Sequence, residues 1–535
     1  MSNIATEKIH LLDCTLRDGG YVNDWNFGHH SITSIYKQLD SAGVEYIEVG
    51  FLDERRSFDP NRSIVPNTES FNKIFKDVQK KQALPVAMID FGTCDLSNIG
   101  DCSTSFIDGI RVIFKKEKID AALPFCKAIK AKGYKLFIQA ISVTAYSDIE
   151  MLKYVEQINE IKPYAFSIVD TYGLLDTKWL THYFNLIDNN LAPEIIVGYH
   201  AHNNFQLAFS NSMNFLHINT KRERVVDATV YGMGKSAGNC PIELLSMQMN
   251  KYFDKSYDIN PFLEIMDVNL MPIYQKRFWG YKYNFYISAM QNCHPNYVQY
   301  LLDKKTLTVT SINKILSSLP DEKKLLYDET CIENLYVAHQ TNNIDDTEDF
   351  DRLAEELSDK EIVLLGPGGS IVENEEKIKR FIREKNAITI SVNFATLQFR
   401  SEYVFLSNAK RYTAWTDMFN MLPETCRLIV TTNVNAFDRK PDFVINYSSL
   451  LKRNECGDDN AVLLCMQLLR RLGIKKVYLA GFDGFTGENH DYYDISYSFA
   501  GNDKLLAHSN QIIRQGIKAA SNEIEVEFIT PSLYE

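Results

Sequence analysis

The segment from Ile9 to Gly20 has the sequence IHLLDCTLRDGG and sets the first expectation about the fold. Its first half is a strand-length run of mainly apolar residues, and its second half is polar and ends in two glycines. Such a run, ending in a polar turn, is typical of a strand buried in a parallel sheet. Arg17 and Asp18 would then lie just beyond the end of that strand.

Seven further apolar or β-branched runs follow, separated by longer amphipathic segments. They are VEYIEVGF (44–51), LPVAMIDF (84–91), IDGIRVIF (107–114), YKLFIQAISV (134–143), YAFSIVD (164–170), EIIVGYHAH (194–202) and VVDATVYGM (225–233). Eight strand–helix units in about 250 residues predict an α/β fold of the (β/α)8, or TIM-barrel, class.

The polar residues of this half fall where a barrel places its active site, at the C-terminal ends of the strands. The positions at predicted strand ends are Arg17, Asp18, Glu48, Gln139, Asp170, His200, His202 and the stretch GMGKSAGN (232–239). We take Glu48 together with Arg17 as candidate catalytic residues, and an ion pair of Arg17 with Glu48 or with Asp170 is the structural alternative.

His200 and His202 suggest a metal site. Residues two apart in a strand project to the same face, so both imidazoles could bind one ion. Asp18, at the end of the first strand, would be close to the end of the seventh in a closed barrel. A mixed carboxylate and imidazole site suits Mn²⁺ or Mg²⁺, and also Zn²⁺. A polar barrel end without metal remains the alternative interpretation, and Asp18 could equally cap a turn.

The pattern changes after the eighth run. We expect the barrel to span residues 1–255, a helical extension 256–338, and an acidic linker 339–360. Residues 361–535 again alternate strands and helices, which predicts a second, Rossmann-like α/β domain. Its predicted strands are EIVLLG (361–366), AITISVNF (387–394), YVFLS (403–407), RLIVTTN (427–433), KKVYLAGFD (475–483) and VEFIT (526–530).

The composition excludes several classes of protein. A chain of 535 residues is longer than one hydrophobic core usually organises, so we expect at least two domains. Its formal net charge of −12 argues against binding nucleic acid or anionic membranes. Its ten cysteines form no CxxC pair, which indicates reduced thiols. We expect a cytoplasmic protein, because no secretory signal is visible and no apolar run approaches the roughly 20 residues of a membrane span.

The segments DCTLRDGG (13–20), IEVGF (47–51), HAHNN (200–204) and GMGKSAGNCPIE (232–243) occur in one order, each at a predicted strand end. Together they resemble the metallolyase TIM barrels that include 4-hydroxy-2-oxovalerate aldolase, hydroxymethylglutaryl-CoA lyase and isopropylmalate synthase. The resemblance implies Asp18, His200 and His202 as ligands of a divalent metal and Arg17 as the arginine that stabilises an enolate. Asn239 matches an asparagine that ligates the metal in some members.

One departure from the oxovalerate aldolases concerns proton transfer. Where they carry a histidine three residues after the metal-binding aspartate, this chain has Tyr21. Tyr21 and His294, in the segment NCHPNY (292–297), are the candidate acid/base residues, although His294 could equally be structural. The implied reaction is cleavage or formation of a carbon–carbon bond in a 2-oxo acid, with pyruvate as the simplest product.

The C-terminal domain contains a glycine turn and polar strand ends. The turn LLGPGGSI (364–371) could bring backbone amides to a phosphate, with Gly366, Gly368, Gly369 and Ser370 as candidate contacts, or be a tight turn without a ligand. Asn393 and Asp483 end two predicted strands, and His508 lies beside the expected start of a helix.

These features resemble the family 42 sialyltransferases and hydroxymethylpterin pyrophosphokinase-like proteins. The resemblance implies that Asn393 contacts a cytidine nucleotide or nucleotide sugar and that His508 is a general base. Two positions depart from the pattern, since Pro367 replaces an asparagine of the turn and Phe485 replaces a tyrosine. Tyr492 or Tyr493 could supply another hydroxyl.

Three hypotheses follow. The first is a metal-dependent aldolase fused to a nucleotide-binding, transferase-like domain, a pairing that would suit surface-sugar biosynthesis. The second makes the barrel an acyl-CoA-dependent condensing synthase and the C-terminal domain an active glycosyltransferase. In the third, the C-terminal domain is a non-catalytic assembly module. The family resemblance also suggests a homo-oligomer.

Overall fold

The structure is a computed structural model that describes residues 8–304, 306–324, 327–341, 343–395, 399–434, 439–451, 460–486, 492–493 and 503–535. The chain divides into two compact units, Met1–Pro295 and Asn296–Glu535, and each is described by itself. Among the helices of the described residues, none is both long and apolar enough to cross a membrane.

The first unit is built on nine parallel strands, eight of which close into a barrel through pairing of β1 with β2. The strands are β1 (Ile9–Asp13), β2 (Tyr46–Leu52), β3 (Ile64–Val65), β4 (Leu84–Asp90), β5 (Gly109–Ile113), β6 (Lys135–Ala140), β7 (Ala165–Asp170), β8 (Ile196–Ala201) and β9 (Arg224–Ala228). Among the residues that the structure describes, the short strand β3 pairs with β2 alone, on the outside of the closed ring. All eight predicted barrel strands are present, and the expected barrel is confirmed.

Amphipathic helices surround this barrel and bury their apolar faces against it. They are α1 (Gly20–Asn23), α2 (His29–Ser41), α3 (Thr68–Ile74), α4 (Ile119–Ala131), α5 (Asp148–Ile161), α6 (Thr177–Asp188), α7 (Ala208–His217) and α8 (Ile242–Tyr252). Three more helices complete the unit: α9 (Asn260–Glu264), α10 (Met271–Tyr274) and α11 (Tyr283–Met290), with a π-helical stretch at Ile265–Leu270.

The barrel interior is apolar at one end and polar at the other. Leu12, Tyr46, Val86 and Phe137 belong to a buried apolar cluster inside the ring. Toward the C-terminal ends of the strands the buried residues are charged or polar instead, and this change of character marks the mouth of the barrel as the functional end.

A bulge in β2 contributes to the polar end, because the register with β4 shifts between Glu48 and Gly50. Gly50 has a φ of 155°, and a Cβ atom there would overlap the carbonyl oxygen of Ser63. The residue at position 50 must therefore be glycine for the chain to pass Ser63 this closely, and Glu48 lies fully buried beside the bulge.

The second unit begins with the helices α12 (Pro295–Asp303), α13 (Val309–Ser317), α14 (Asp321–Lys324), α15 (Glu329–Gln340) and α16 (Thr347–Leu357). A seven-stranded parallel sheet follows. Its elements are β10 (Ile362–Leu365), α17 (Ser370–Glu373), α18 (Glu375–Lys385), β11 (Ile388–Val392), β12 (Tyr403–Leu406), α19 (Ala409–Asn420), β13 (Arg427–Thr431), β14 (Phe443–Ile445), α20 (Tyr447–Leu450), α21 (Ala461–Arg471), β15 (Lys476–Ala480), α22 (Asp503–Ala520) and β16 (Glu525–Phe528).

The strand order of this sheet is β14-β13-β12-β11-β10-β15-β16. The chain runs outward from β10 in one direction and then returns to the other side of β10 with β15, so the order reverses between these two strands. A reversal of this kind opens a crevice at the carboxyl ends of the strands. The expected second α/β unit is confirmed, and β14, a strand of three residues, is an addition to the six predicted strands.

Candidate functional site

Three side chains at the mouth of the barrel converge on one point. Asp18 lies in the turn after β1, His200 lies in β8, and His202 follows that strand directly. Oδ2 of Asp18 is 3.6 Å from Nε2 of His200 and 4.0 Å from Nε2 of His202. An ion about 2.1 Å from each ligand atom can bridge atoms up to about 4.2 Å apart. The cluster, which is buried, therefore has the size of a single-ion site.

Asn239 adds an amide oxygen beside this cluster. Its backbone forms an antiparallel bridge with His202, and its side-chain nitrogen donates to the carbonyl oxygen of Met233 at 3.3 Å. Oδ1 of Asn239 is buried, and within the described part of the chain no donor reaches it. An orphaned buried carbonyl costs about 1–3 kcal/mol unless something satisfies it. One carboxylate, two imidazoles and this oxygen form a donor set that fits a divalent ion.

The protonation states of Asp18 and His202 suit metal binding. Burial opposes the negative charge of Asp18, but Arg17 and the two histidines outweigh it and hold the pKa of Asp18 well below its ordinary value. Burial lowers the pKa of His202 to about 4, so its imidazole is neutral at pH 7 and keeps a lone pair. A carboxylate and a neutral imidazole are the forms that bind metals. Burial alone would lower the pKa of His200, but Asp18 and Asp227 raise it, so this imidazole releases a proton when an ion binds.

Arg17 is held between two carboxylates. Its Nε donates to Oε2 of Glu48 at 2.7 Å, and its Nη1 donates to Oδ2 of Asp18. Burial alone would lower the pKa of Arg17, but Glu48 and Asp18 raise it well above its ordinary value. Of the two expectations for Arg17, the structure shows the ion pair with Glu48 and also keeps the guanidinium next to the candidate metal ligands.

A buried chain of polar contacts reaches the cluster from inside the barrel. Nη1 of Arg111 in β5 donates to Oε2 of Glu48 at 3.0 Å, and its Nη2 donates to Oδ2 of Asp227 in β9. The same Asp227 oxygen lies 2.9 Å from Nδ1 of His200. Burial opposes the charge of Asp227, but Arg111 and His200 lower its pKa, so Asp227 is ionised and His200 is the donor.

Arg111 and Asp227 were not among the sequence-predicted site residues. A signal for both was present, because each is a charged residue with apolar neighbours on both sides in a predicted strand: GIRVI (109–113) for Arg111 and VVDA (225–228) for Asp227. A charge inside a barrel strand requires a partner inside the barrel. Sequence spacing does not reveal which partner that is.

Tyr21 lies beside the cluster but is half-exposed. Its ring packs against Trp25, with centroids 4.7 Å apart. Burial of its hydroxyl end raises the pKa of Tyr21 to about 12, so the phenol remains protonated at neutral pH. His294 follows α11, and burial, reinforced by the charge of Lys235, lowers its pKa to about 4.

Asp170, at the end of β7, has a structural role in the following turn. Its carboxylate accepts hydrogen bonds from the backbone nitrogens of Leu174 at 2.8 Å and Leu175 at 3.0 Å. Burial raises the pKa of Asp170 to about 6, and these hydrogen bonds oppose that rise. The carboxylate oxygens of Asp170 therefore hold the loop after β7. The carboxylate that pairs with Arg17 is that of Glu48.

Residues 8–268 match the model of the HMGL-like family. The N-terminal half of the chain is an HMGL-like domain. An oxaloacetate decarboxylase from Mycobacterium tuberculosis is 24% identical over 239 residues, covering 44% of this chain and 68% of that protein. A 4-hydroxy-2-oxovalerate aldolase from Moorella thermoacetica is 25% identical over 272 residues, covering 50% of this chain and 76% of that protein.

Among solved structures, the HMG-CoA lyase from Brucella melitensis superposes with a TM-score of 0.39 at 14% identity. The match covers 48% of this chain and 95% of that structure. The HMGL-like domain contains Asp18, His200, His202 and Asn239, whereas His294 lies beyond the matched residues.

In the second unit, the glycine turn after β10 is tied to the loop after β15. The amide nitrogens of Gly366 and Gly368 each donate at 2.8 Å, to the carbonyl oxygens of Ala480 and Gly481 respectively. The amide of Ser370 donates to Oδ2 of Asp483 at 2.7 Å, and the Ser370 hydroxyl donates to the other oxygen of that carboxylate. Three amides of the turn that could have met a phosphate are therefore bonded within the protein.

A cavity of about 440 Å³ lies next to this turn. Its lining includes residues of the two loops at the β10–β15 reversal and several aromatic and basic side chains. Among them are Gly368, Asn393, Asn408, Arg411, Phe482, Asp483, Phe485, Tyr492 and Tyr534. The cavity occupies the position where doubly wound parallel sheets bind ligands.

The remaining candidates of this unit take different positions. Asn393 lines the cavity with a φ of 56°, and its Oδ1 accepts from the amide of Ser407 at 2.8 Å. His508 is exposed on α22 and does not line the cavity, although Ser509 does. Gly366, Gly369 and Ser370 support the turn without lining the cavity.

Proposed function

We propose that the HMGL-like domain is a divalent-metal-dependent aldolase that cleaves or forms a carbon–carbon bond in a 4-hydroxy-2-oxo acid. The observation that carries the proposal is the convergence of Asp18, His200 and His202 beside the orphaned oxygen of Asn239. The similarity to 4-hydroxy-2-oxovalerate aldolases supports the reaction class. For this mixed set of two oxygen and two imidazole ligands we propose Mn²⁺ or Mg²⁺, with Zn²⁺ as the alternative.

When bound, the ion would supply Lewis-acid polarisation of the 2-oxo carbonyl. Arg17, held by Glu48 at 2.7 Å, keeps a positive charge next to this position and stabilises negative charge that develops on the carbonyl oxygen. Because the guanidinium is fixed before substrate arrives, little reorganisation is needed during the reaction. Glu48 thus acts through Arg17, as a positioning residue.

Cleavage requires a group that removes the proton of the 4-hydroxyl. As that proton leaves, the C3–C4 bond breaks to give an aldehyde and the enolate of a 2-oxo acid, and protonation of C3 completes the second product. Tyr21 and His294 are the two candidates for this group. Burial and the charge of Lys235 lower the pKa of His294 to about 4, so its imidazole is neutral at pH 7 and can accept a proton, although at this pKa it is a weak base. Tyr21, with a pKa of about 12, is protonated at pH 7 and in that form serves as a hydrogen-bond donor.

A second candidate reaction is decarboxylation of a 2-oxo dicarboxylate. The similarity to the Mycobacterium tuberculosis oxaloacetate decarboxylase favours it as the alternative. Both reactions produce the enolate of a 2-oxo acid and would use the same cluster. They differ in the bond that breaks and in the second product, which is an aldehyde in one case and carbon dioxide in the other.

The test is release of pyruvate from a panel of 4-hydroxy-2-oxo acids and from oxaloacetate, with Mn²⁺ and with excess chelator. We expect metal-dependent release that Asp18→Ala abolishes. Asp77→Ala, which changes an exposed aspartate, is the matched control and should behave as wild type. Full activity in chelator would contradict the proposal, and consumption of an acyl-CoA instead would favour a condensing synthase.

For the second unit we propose a nucleotide-binding, transferase-like role. The support is the cavity at the β10–β15 reversal, its aromatic residues and Arg411. Titration of the full chain with cytidine, adenosine and guanosine nucleotides tests it, and saturable binding that Arg411→Met weakens is expected. Absence of binding to the folded chain would favour the non-catalytic assembly module.

The wider setting of the protein is also a proposal. A carbon–carbon lyase joined to a nucleotide-binding unit would suit the synthesis of a surface sugar acid, in the cytoplasm and as a homo-oligomer. Sedimentation analysis of the purified chain tests the oligomeric state, and a concentration-independent monomer would contradict it.

A further inference from the structure

Lys235 lies in the loop between β9 and α8, directly beside the candidate metal cluster. Its backbone nitrogen donates to Oδ1 of Asp18 at 2.9 Å, so the main chain at this position is fixed to a candidate ligand. Its Nζ atom lies 5.6 Å from the centroid of the Tyr21 ring. The ammonium group is therefore at the barrel mouth, on the side where Tyr21 stands.

Lys235 lacks the carboxylate partners that the other two cations of this site, Arg17 and Arg111, have in the described part of the chain. Arg17 is bonded to Glu48 and Asp18, and Arg111 is bonded to Glu48 and Asp227. Lys235 is half-buried and, within the part of the chain that the structure describes, forms no ion pair.

The formal charges at the mouth explain what such a cation could bind. Three carboxylates and two guanidinium groups form the paired charges at the mouth, and Lys235 contacts this set through Asp18. The paired charges are those of Asp18, Glu48, Asp227, Arg17 and Arg111. With a divalent ion and without the lysine, this set carries one net positive charge. A 2-oxo acid brings one negative charge on its carboxylate and develops a second on its enolate oxygen, and the cation of Lys235 opposes this added negative charge.

We propose that Lys235 binds the carboxylate of the 2-oxo acid substrate. The inference rests on the proposed function of the HMGL-like domain and names the group that holds the substrate in it. Arg17 then serves the carbonyl oxygen while Lys235 serves the carboxylate. An incoming carboxylate gives the half-buried ammonium an ionic partner, and the resulting charge-assisted hydrogen bond fixes the substrate over the cluster.

The test uses the Mn²⁺-loaded full chain and pyruvate as the probe, with binding followed by titration calorimetry. Lys235→Met keeps the backbone bond to Asp18 and removes only the charge, and we expect it to weaken pyruvate binding by at least about tenfold. Lys235→Arg keeps the charge and should bind within about threefold of wild type. In turnover assays Lys235→Met should raise KM more than it lowers kcat.

Pyruvamide, which lacks the carboxylate charge, is the second probe. We expect pyruvamide to bind wild type more weakly than pyruvate does, and to bind wild type and Lys235→Met with the same affinity. Unchanged pyruvate affinity in Lys235→Met would overturn the role of Lys235, and so would a loss of pyruvamide affinity as large as the loss of pyruvate affinity. Neither result would contradict the proposed function. If wild type bound Mn²⁺ but neither pyruvate nor any 2-oxo acid, both this inference and the proposed function would fail together.

Discussion

Nδ1 of His200 donates a hydrogen bond to Oδ2 of Asp227 over 2.9 Å, deep in the mouth of the barrel. The bond places a hydrogen on Nδ1, so Nε2 is the nitrogen that faces Asp18, 3.6 Å away. Asp227 is held in turn by Arg111. A carboxylate behind a histidine ligand orients the ring and raises its basicity, and its loss usually weakens a metal site without removing a ligand.

The first prediction concerns this positioning role. Asp227→Asn keeps the shape of the side chain but removes the charge, and we expect the Mn²⁺ affinity to fall by about 10- to 100-fold. Competition with a chromogenic chelator measures the Mn²⁺ affinity independently of enzymatic activity. Asp188→Asn, at an aspartate that pairs with Arg222, is the control and should leave Mn²⁺ affinity unchanged. Wild-type affinity in Asp227→Asn would show that Asp227 only supports the barrel.

The second prediction concerns Gly234, which lies between two residues of the site. A Cβ atom at this position would overlap the Asn239 side-chain nitrogen and lie 2.7 Å from Oδ1 of Asp18. We therefore expect Gly234→Ala to push these groups apart and to weaken Mn²⁺ binding while the circular dichroism spectrum stays unchanged. In Gly100→Ala the nearest atom would be 3.4 Å away, so this variant should bind Mn²⁺ normally.

The third prediction concerns the glycine turn of the second unit. Asp483→Ala leaves the buried amide of Ser370 without its acceptor, so we expect a loss of about 1–3 kcal/mol in unfolding free energy. Ser370→Ala loses only the hydroxyl bond and should cost about 1 kcal/mol. Urea unfolding followed by tryptophan fluorescence measures both variants, and Trp415 supplies the signal from the second unit. Glu424→Ala, at an exposed position, is the control, and a change as large as that of Asp483→Ala would contradict the explanation.

The fourth prediction is a pH dependence of stability. Burial raises the pKa of Asp13 from 3.8 to about 7, although Thr15 hydrogen bonds oppose the rise. Because the folded state holds this proton more tightly than the unfolded state, the contribution of Asp13 to stability is present below pH 4 and is lost as the pH rises to about 7.

The asparagine of the Asp13→Asn variant cannot titrate, so this variant should lack the pH-dependent contribution of Asp13 to the free energy of unfolding. Between pH 4 and pH 7 the stability of wild type relative to Asp13→Asn should fall with rising pH, by up to about 1.4 kcal/mol per pH unit. Urea unfolding at several pH values measures the difference. Parallel curves for the two proteins, or a difference of opposite sign, would show that Asp13 is ionised in the folded state throughout this range.

Much of the barrel and of its polar end could be predicted from local pattern. Each buried strand is an apolar run of strand length, and a closed parallel barrel directs all its carboxyl ends to one side. That reasoning located Asp18, His200 and His202 at the same mouth before their distances were known. It could not find β14, because the three residues Phe443–Ile445 carry too short a pattern to distinguish a strand from a loop.

The sequence by itself determined which residues stand at strand ends, because alternation and strand length are local properties of the chain. Only the tertiary structure decided which of them meet. Arg111 contacts Asp227 across 116 positions of the chain, and Ser370 contacts Asp483 across 113. The free energy that selects such partners comes from pairing buried charges and amides away from water, and this depends on the closed barrel and the folded sheet rather than on spacing along the chain.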